Sequence, residues 1–227
     1  MRQYLAPGSY VVSLQNCMNQ ATIAEVVGWG KTMAVSPATS AWGSSSRAMS
    51  IAAASRVMPR TPSTVPVKSK AITERAHEIC RLVSYAASAK VTDNLWGERW
   101  SKLVANTMAN GVSACTGLPG AQLAQNETTR HFQARLGSEA IRIGQARGYK
   151  LEEIDHLPPE TIARAGEGDL AALKIYDEWR LSRVGRGSPD LPSMGQDMMK
   201  GRRTEIEYLN GFVVREGEQG RASSPRQ

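Results

Sequence analysis

Cysteine is scarce in this chain of 227 residues, with only Cys17, Cys80 and Cys115 and no C-x-x-C pair. An odd, scattered set excludes both a disulfide framework and a zinc cluster. Histidine is equally sparse: His77, His131 and His156 show no H-x-x-x-H spacing, so no metal is expected. Such cysteine usage fits a reducing, cytoplasmic setting. No apolar run approaches the roughly 20 residues of a membrane-spanning helix, which argues against an integral membrane protein. The opening MRQYLAPGSYVVSLQN lacks the basic, apolar and small-residue order of a secretory signal. With 41% hydrophobic residues the chain can still bury a sizeable core, as one large domain or two small ones.

Carboxylates are missing from a long stretch: no Asp or Glu occurs between Glu25 and Glu74. The net charge of +7 invites a nucleic-acid reading, but its distribution weakens it. Residues 1–65 carry five basic and one acidic side chain, whereas residues 66–227 carry 23 and 20. The excess therefore comes from a segment poor in acids, and no basic groove interleaved with aromatics is visible. Within that segment, 23 of the 33 residues from Ala34 to Pro66 are Ala, Ser, Thr, Pro or Gly. So few large apolar groups offset little chain entropy, and a loop of this length inside a compact domain is unusual. The expectation is a poorly ordered insertion, or a stretch scrambled by something like a compensated frameshift.

What is present is mostly helical. Tyr10–Leu14 after Pro7-Gly8 predicts a short strand, Gln15–Asn19 a loop, and Ala21–Val27 a short helix stopped by Gly28. Ala71–Ser88 carries Ile72, Ala76, Ile79, Val83 and Ala86 on one stripe. Thr92 or Asp93 can cap a helix from Asn94 to about Ala114, ended by Gly117. A further helix is expected from about Ala121 to Arg147, with Leu123, Phe132, Leu136, Ala140 and Ile143 buried. Pro158-Pro159 opens a short helix to Ala165, and Asp169 opens the next, to about Arg183. Ser193-Met194-Gly195-Gln196 reads as a capping box for a last helix reaching about Arg215.

Lys102, Asn106 and Asn110 are spaced i, i+4, i+8, which places them within about 80° of helical arc. Asn is a mediocre helix former, so two at this spacing require a reason. A solvent-facing polar stripe is one. The other is a site for a small polyoxygenated anion, with an ammonium to neutralise or protonate and two amides that both donate and accept. Ser193 is on its own an N-cap candidate at a helix end whose N–H groups suit a carboxylate or phosphate. Glu205 and Glu207 can be surface ion-pair partners of the basic run before them.

Together, W-x-K-L-x-x-N-x-x-x-N from Trp100, P-S-M-x-Q-D from Pro192 and R-R-T-E-I-E-x-L-N-G from Arg202 resemble the C-terminal domain of ketopantoate reductases (2-dehydropantoate 2-reductases). The upstream V-V-S-L-Q-N resembles that family's loop near the end of its nucleotide-binding domain. There Q-N-G is usual, and Cys17 stands at the third position. The resemblance covers about residues 5–30 and 71–217. It implies NADPH-dependent reduction of a 2-oxo acid to a 2-hydroxy acid. It places Lys102 on the general acid, Glu205 on a catalytic carboxylate near the nicotinamide ribose, and Asn106, Asn110 and Ser193 on substrate-binding positions. Asn16 falls on a loop amide touching both cofactor and substrate. A further family Asn is replaced here by Gly120.

No G-x-G-x-x-G phosphate loop occurs, and Gly28-Trp29-Gly30 has neither the third glycine nor a preceding strand. NADPH binding by this chain is therefore expected to be weak. The resemblance implies a mainly α fold: a helical, 6-phosphogluconate-dehydrogenase-like substrate domain after a truncated α/β Rossmann remnant. The expected layout is 1–33 for the remnant, 34–70 for the low-complexity stretch, 71–217 for the helical domain and 218–227 for a frayed tail. Two alternatives accompany it: a reductase of the same superfamily for another 2-oxo acid, and a non-catalytic helical module for dimerisation or partner binding. A homodimer through the helical domain is compatible with each.

Overall fold

The computed structural model describes residues 4–37, 48–53, 73–185 and 190–222. Its fold is mainly α, with a small four-stranded sheet at the N-terminal side. The sheet runs in the order β1 (Val11–Ser13), β2 (Thr32–Pro37), β3 (Ala48–Ala53), β4 (Ser88–Val91). β1 and β2 are parallel and joined through α1 (Gln20–Val27). β3 and β4 are parallel and follow one another around α2 (Glu74–Ser84), and β2 meets β3 antiparallel. Each parallel pair thus needs a helical crossover. Gly28 ends α1 with a φ of 88°, and Trp29–Lys31 form a 3-10 turn into β2, which accounts for the Gly-Trp-Gly sequence.

The stretch expected at 34–70 to be disordered or scrambled is instead part of this sheet wherever it is described. Val35 pairs with Ile51 and Met33 with Ala53. Met33, Val35 and Ile51 share one buried face and pack with Ala76 and Ile79 of α2. Composition missed this because only alternate strand positions need to be large, and Val35, Met49 and Ile51, which supply that cluster from this stretch, were diluted among Ala and Ser. On the other face Ala34 meets Leu95 and Trp29, its methyl leaving room for a helix. Residues 38–47 and 54–72 are outside the described residues.

The expected helix Ala71–Ser88 is shorter. It ends at Ser84, and Ser88–Val91 turn into strand β4, whose Ala89 and Val91 join the cluster under α2. Ala76, Ile79, Ala89 and Val91 of this stretch therefore belong to the core under the sheet, and Lys90 of β4 reaches Glu98 of α3 in an ion pair at 3.4 Å. The helical unit is built on α3 (Leu95–Thr116), closed by left-handed Gly117. Asn94 is its N-cap, and Thr92 Oγ1 accepts the Asn94 N–H at 3.0 Å.

Around α3 stand α4 (Gly120–Gln125), α5 (Glu127–Ala146), α6 (Pro159–Gly166), α7 (Leu170–Leu181), α8 (Ser193–Met199) and α9 (Asn210–Ala222). The single helix expected at 121–147 is interrupted at Asn126, whose side chain caps α5 by accepting the Thr129 N–H. Its buried stripe also differs. Phe132 is 52% exposed, while Ala134, Gly137, Ala140, Ile141 and Gly144 face inward. The reason is close approach: a Cβ on Gly144 would lie 2.2 Å from the Trp100 indole nitrogen, and one on Gly137 2.8 Å from Met108 Sδ. Trp100 fills the space left, stacks on Tyr149 at 4.8 Å and donates to the Ala140 carbonyl at 2.9 Å.

The last helix expected from Ser193 to about Arg215 is two helices. α8 stops at Lys200, Gly201 takes a left-handed φ of 61°, and a 3-10 turn at Ile206–Tyr208 leads into α9. Pro192 occupies the N-cap position with no side-chain cap hydrogen bond, so the capping box does not form. α9 continues to Ala222, so residues 218–222 are helical and not frayed. Among the described residues no helix is long and apolar enough to cross a membrane, and no group of three or more His, Cys, Asp or Glu could hold a metal.

Candidate active site

Six consecutive residues of α3, Arg99 to Val104, are buried, so this helix is enclosed on all sides. Its polar stripe is therefore not a solvated face: Lys102 is 9% exposed and Asn106 and Asn110 3% each. Burial without full hydration pushes the Lys102 ammonium down from 10.5 to about 8, against the opposing pull of the Asp155 carboxylate.

The loop after β1 and the turn before α9 meet this stripe. Asn106 Nδ2 donates to Asn16 Oδ1 and Asn16 Nδ2 donates to Glu205 Oε1, both at 3.4 Å. Residues 90 and 189 positions apart are thereby linked in one chain of amides ending on a carboxylate. Asn110 adds an amide oxygen that is buried and without a hydrogen-bond partner. An orphan acceptor of this kind costs on the order of 1–3 kcal/mol, and it fits a ligand hydroxyl or ammonium donor. At the next turn Asn210 Nδ2 donates to the Thr107 carbonyl at 3.2 Å, docking α9 beside Asn106 and Asn110. Ser193 stands apart: it is the first residue of α8, exposed, with no hydrogen bond to the other candidates among the described residues.

Three contributors were not legible as site residues. Arg99 is buried and donates to the carbonyls of Gln15, Cys17 and Val35. Cys17 occupies a left-handed backbone conformation, φ 70°, that favours glycine. Burial first, and then the Glu205 carboxylate, push its thiol up to about 12. Asp155 reaches Lys102's surroundings from a turn closed by Ile154 and Leu157. That turn also has positive φ at Asp155 and His156, 55° and 67°. It is held by Trp179 Nε1 and Arg183, which both donate to the Asp155 carbonyl at 3.0 Å, and by an Arg183–Asp155 ion pair. The preceding strap is fixed on α3 through Asn94 to the Lys150 carbonyl and through the Glu152 N–H to Ser101 Oγ, each at 2.8 Å. It crosses where α3 has Gly97, since a Cβ there would lie 1.8 Å from the Lys150 carbonyl oxygen. The Arg at i−3 from Lys102 was the one available hint of Arg99; nothing local marks Asp155.

A nicotinamide cofactor fits only part of these residues. The Asn16 amide, the Glu205 carboxylate and the orphan Asn110 oxygen suit hydroxyl and amide groups of a ribose and a small hydroxy acid. No described turn offers the glycine-rich cradle that a pyrophosphate requires.

A buried lysine lowered to about 8 shares one helix face with two buried amides, on a helical unit beside a small α/β sheet. Sequence comparison identifies the family. Residues 94–226 match the family described as Ketopantoate reductase PanE/ApbA C terminal, and the chain belongs to that family. A curated relative, the 2-dehydropantoate 2-reductase of Pyrococcus horikoshii, is 22% identical over 125 residues, covering 55% of this chain and 35% of the relative. Among solved structures, the ternary structure of D-mandelate dehydrogenase with NADH and anilino(oxo)acetate superposes with a TM-score of 0.68 at 16% identity, covering 99% of this chain and 66% of that one. The 2-dehydropantoate 2-reductase from Geobacter metallireducens GS-15 gives 0.66 at 20% identity, covering 95% and 64%. The chain thus spans about a third of the curated relative and just under two thirds of these structures.

Proposed function

We propose that the chain carries the substrate-binding and proton-donating half of a nicotinamide-dependent 2-oxo-acid reductase of the 2-dehydropantoate type. The observation that supports it is the convergence of Asn16, Asn106 and Glu205 beside a buried lysine depressed to about 8. A reduced nicotinamide, NADPH by the resemblance, supplies the hydride to C2 of the oxo acid when bound. Lys102 gives a proton from Nζ to the carbonyl oxygen, so that C=O becomes CH–OH. A value of about 8 leaves Lys102 mostly protonated at neutral pH yet easily recharged, which suits a general acid. Its positive charge also stabilises the alkoxide as it develops. Asn106 and Asn110 orient the substrate's oxygens. Glu205, through Asn16, fixes the loop amide at the junction of sheet and helices. Ser193 is proposed to meet the substrate carboxylate from the start of α8. The helical domain is proposed to be where two copies of the chain would pair.

Titration of the chain with 2-dehydropantoate and a panel of other 2-oxo acids, followed by calorimetry without cofactor, tests this reading. Lys102→Ala and Asn110→Ala are expected to weaken binding of the preferred acid by about tenfold or more, the loss of one charge-assisted or buried hydrogen bond. Unchanged affinity in Lys102→Ala would leave a non-catalytic helical module as the better account. In parallel samples to which NADPH is added, its oxidation followed at 340 nm reports turnover directly.

A further inference from the structure

Arg99 belongs to none of the motifs above, yet it is the most completely buried charge among the described residues, 3% exposed. Its partners among the described residues are three backbone carbonyls and, with its amide turned, the buried Gln20 side-chain oxygen of α1, not carboxylates. Nη1 donates to Val35 O at 3.0 Å, and Nη2 donates to Gln15 O at 2.9 Å and to Cys17 O. Burying a guanidinium costs several kcal/mol unless its donors are satisfied, and burial lowers its pKa from 12.5 to about 10. The distribution of those donors is informative. Gln15 and Cys17 flank Asn16, so one guanidinium holds the peptide groups on both sides of the loop amide. Cys17 sits at φ 70°, where an L-residue is strained by roughly 1–2 kcal/mol. The turn therefore needs an external hold. Val35 belongs to β2, so the same group ties the sheet to α3, one turn before Lys102 and two before Asn106.

We propose that Arg99 is the positioning residue for Asn16: it clasps the left-handed Asn16–Cys17 turn from within α3 and so aims the Asn16 amide at Asn106 and Glu205. This rests on the proposed substrate site for its functional half, while the clasp itself does not. Loss of the clasp frees the turn, and Asn16 loses its two partners together.

Cys17 is a built-in reporter. In the otherwise unaltered chain carrying Cys80→Ser and Cys115→Ser, Cys17 is the one thiol left, and its reaction with Ellman's reagent is expected to be slow because the thiol is half-buried and burial pushes it up to about 12. Arg99→Met is expected to accelerate that reaction by about tenfold and Arg99→Lys by less, because local opening exposes the sulfur. Removing the positive charge without opening the turn would slow the reaction, since Arg99 lowers the thiol's value. Only opening gives acceleration. Circular dichroism identifies a variant that unfolds outright, in which case Arg99→Lys decides. Rates within twofold of the parent, or slower, in Arg99→Lys and Arg99→Met overturn the clasp. For the functional half, affinity for 2-dehydropantoate is measured in Asn16→Ala, Arg99→Lys and the double variant. The double variant is expected to be no weaker than the worse single variant; losses that multiply would show that Arg99 does not act through Asn16. If Asn16→Ala leaves affinity untouched while the thiol rates respond, the site reading fails and the clasp stands.

Discussion

Lys102→Met should make the protein more stable at neutral pH, and the gain should vanish in alkali. Methionine keeps an unbranched stem of similar length and removes the ammonium that burial disfavours. A depression from 10.5 to about 8 corresponds to about 3 kcal/mol at roughly 1.4 kcal/mol per pH unit. That figure is already net of the Asp155 attraction, so about 3 kcal/mol is recovered, a sizeable part of a typical domain's stability. The sign follows from proton counting. Between about 8 and 10.5 the unfolded lysine keeps its proton and the folded one has shed it, so wild-type stability rises with pH across that window. Below about 8 both states are protonated and the full cost is present. Urea unfolding of wild type and Lys102→Met at pH 7, 8.5 and 10 reads this directly. At pH 7 the midpoint of the variant should lie about 1.5 M higher, with a slope near 2 kcal/mol per M, and the gap should close towards pH 10.5. Groups common to both chains cancel in the difference. A gap independent of pH, or a variant less stable at pH 7, would refute the account of Lys102 as a buried, destabilised charge held for its chemistry.

Asp155→Asn removes the carboxylate that partly offsets burial, so Lys102 should titrate below about 8, and the onset of the same alkaline stabilisation should move to lower pH in the urea series. Cys17→Gly should lie within about 1 kcal/mol of wild type, because relief of the strain at φ 70° offsets the lost side chain. Cys17→Val should cost about 2 kcal/mol or more, a β-branched residue tolerating that backbone least; thermal unfolding ranks the two, and equal midpoints would contradict the assignment. Gly144→Ala should lower stability by about 2–4 kcal/mol, since its methyl would collide with the Trp100 indole. Gly120→Ala, which meets nothing within 4 Å, should be neutral or mildly stabilising by differential scanning calorimetry.

Some of this was legible in local sequence. The i, i+4, i+8 spacing put Lys102, Asn106 and Asn110 on one line of α3 because helical periodicity is a local property. Asp169 and Gly117 marked a helix start and a helix end for the same reason: capping satisfies backbone groups within a few residues. Local rules failed where packing intervened. Phe132 fitted the apolar period of α5 yet points outward, because the inward stripe had to be small enough for Trp100 and Met108. The Ala- and Ser-rich residues around Val35 and Ile51 looked too poor in apolar groups to fold, but two strands and a helix pool their few large side chains into one face.

The sequence by itself determined the helical character, the line of polar groups on α3 and, through three short motifs, the family. That this line is buried and does not face water was decided only by the tertiary structure, since enclosure of α3 depends on helices far away in the chain. The meeting of Asn16 with Asn106 and Glu205, the hold of Arg99 on the Asn16–Cys17 turn and the approach of Asp155 to Lys102 belong to the same level. Each joins residues tens to nearly two hundred positions apart, and hydrogen-bond and charge contacts at that separation leave no periodic or local trace.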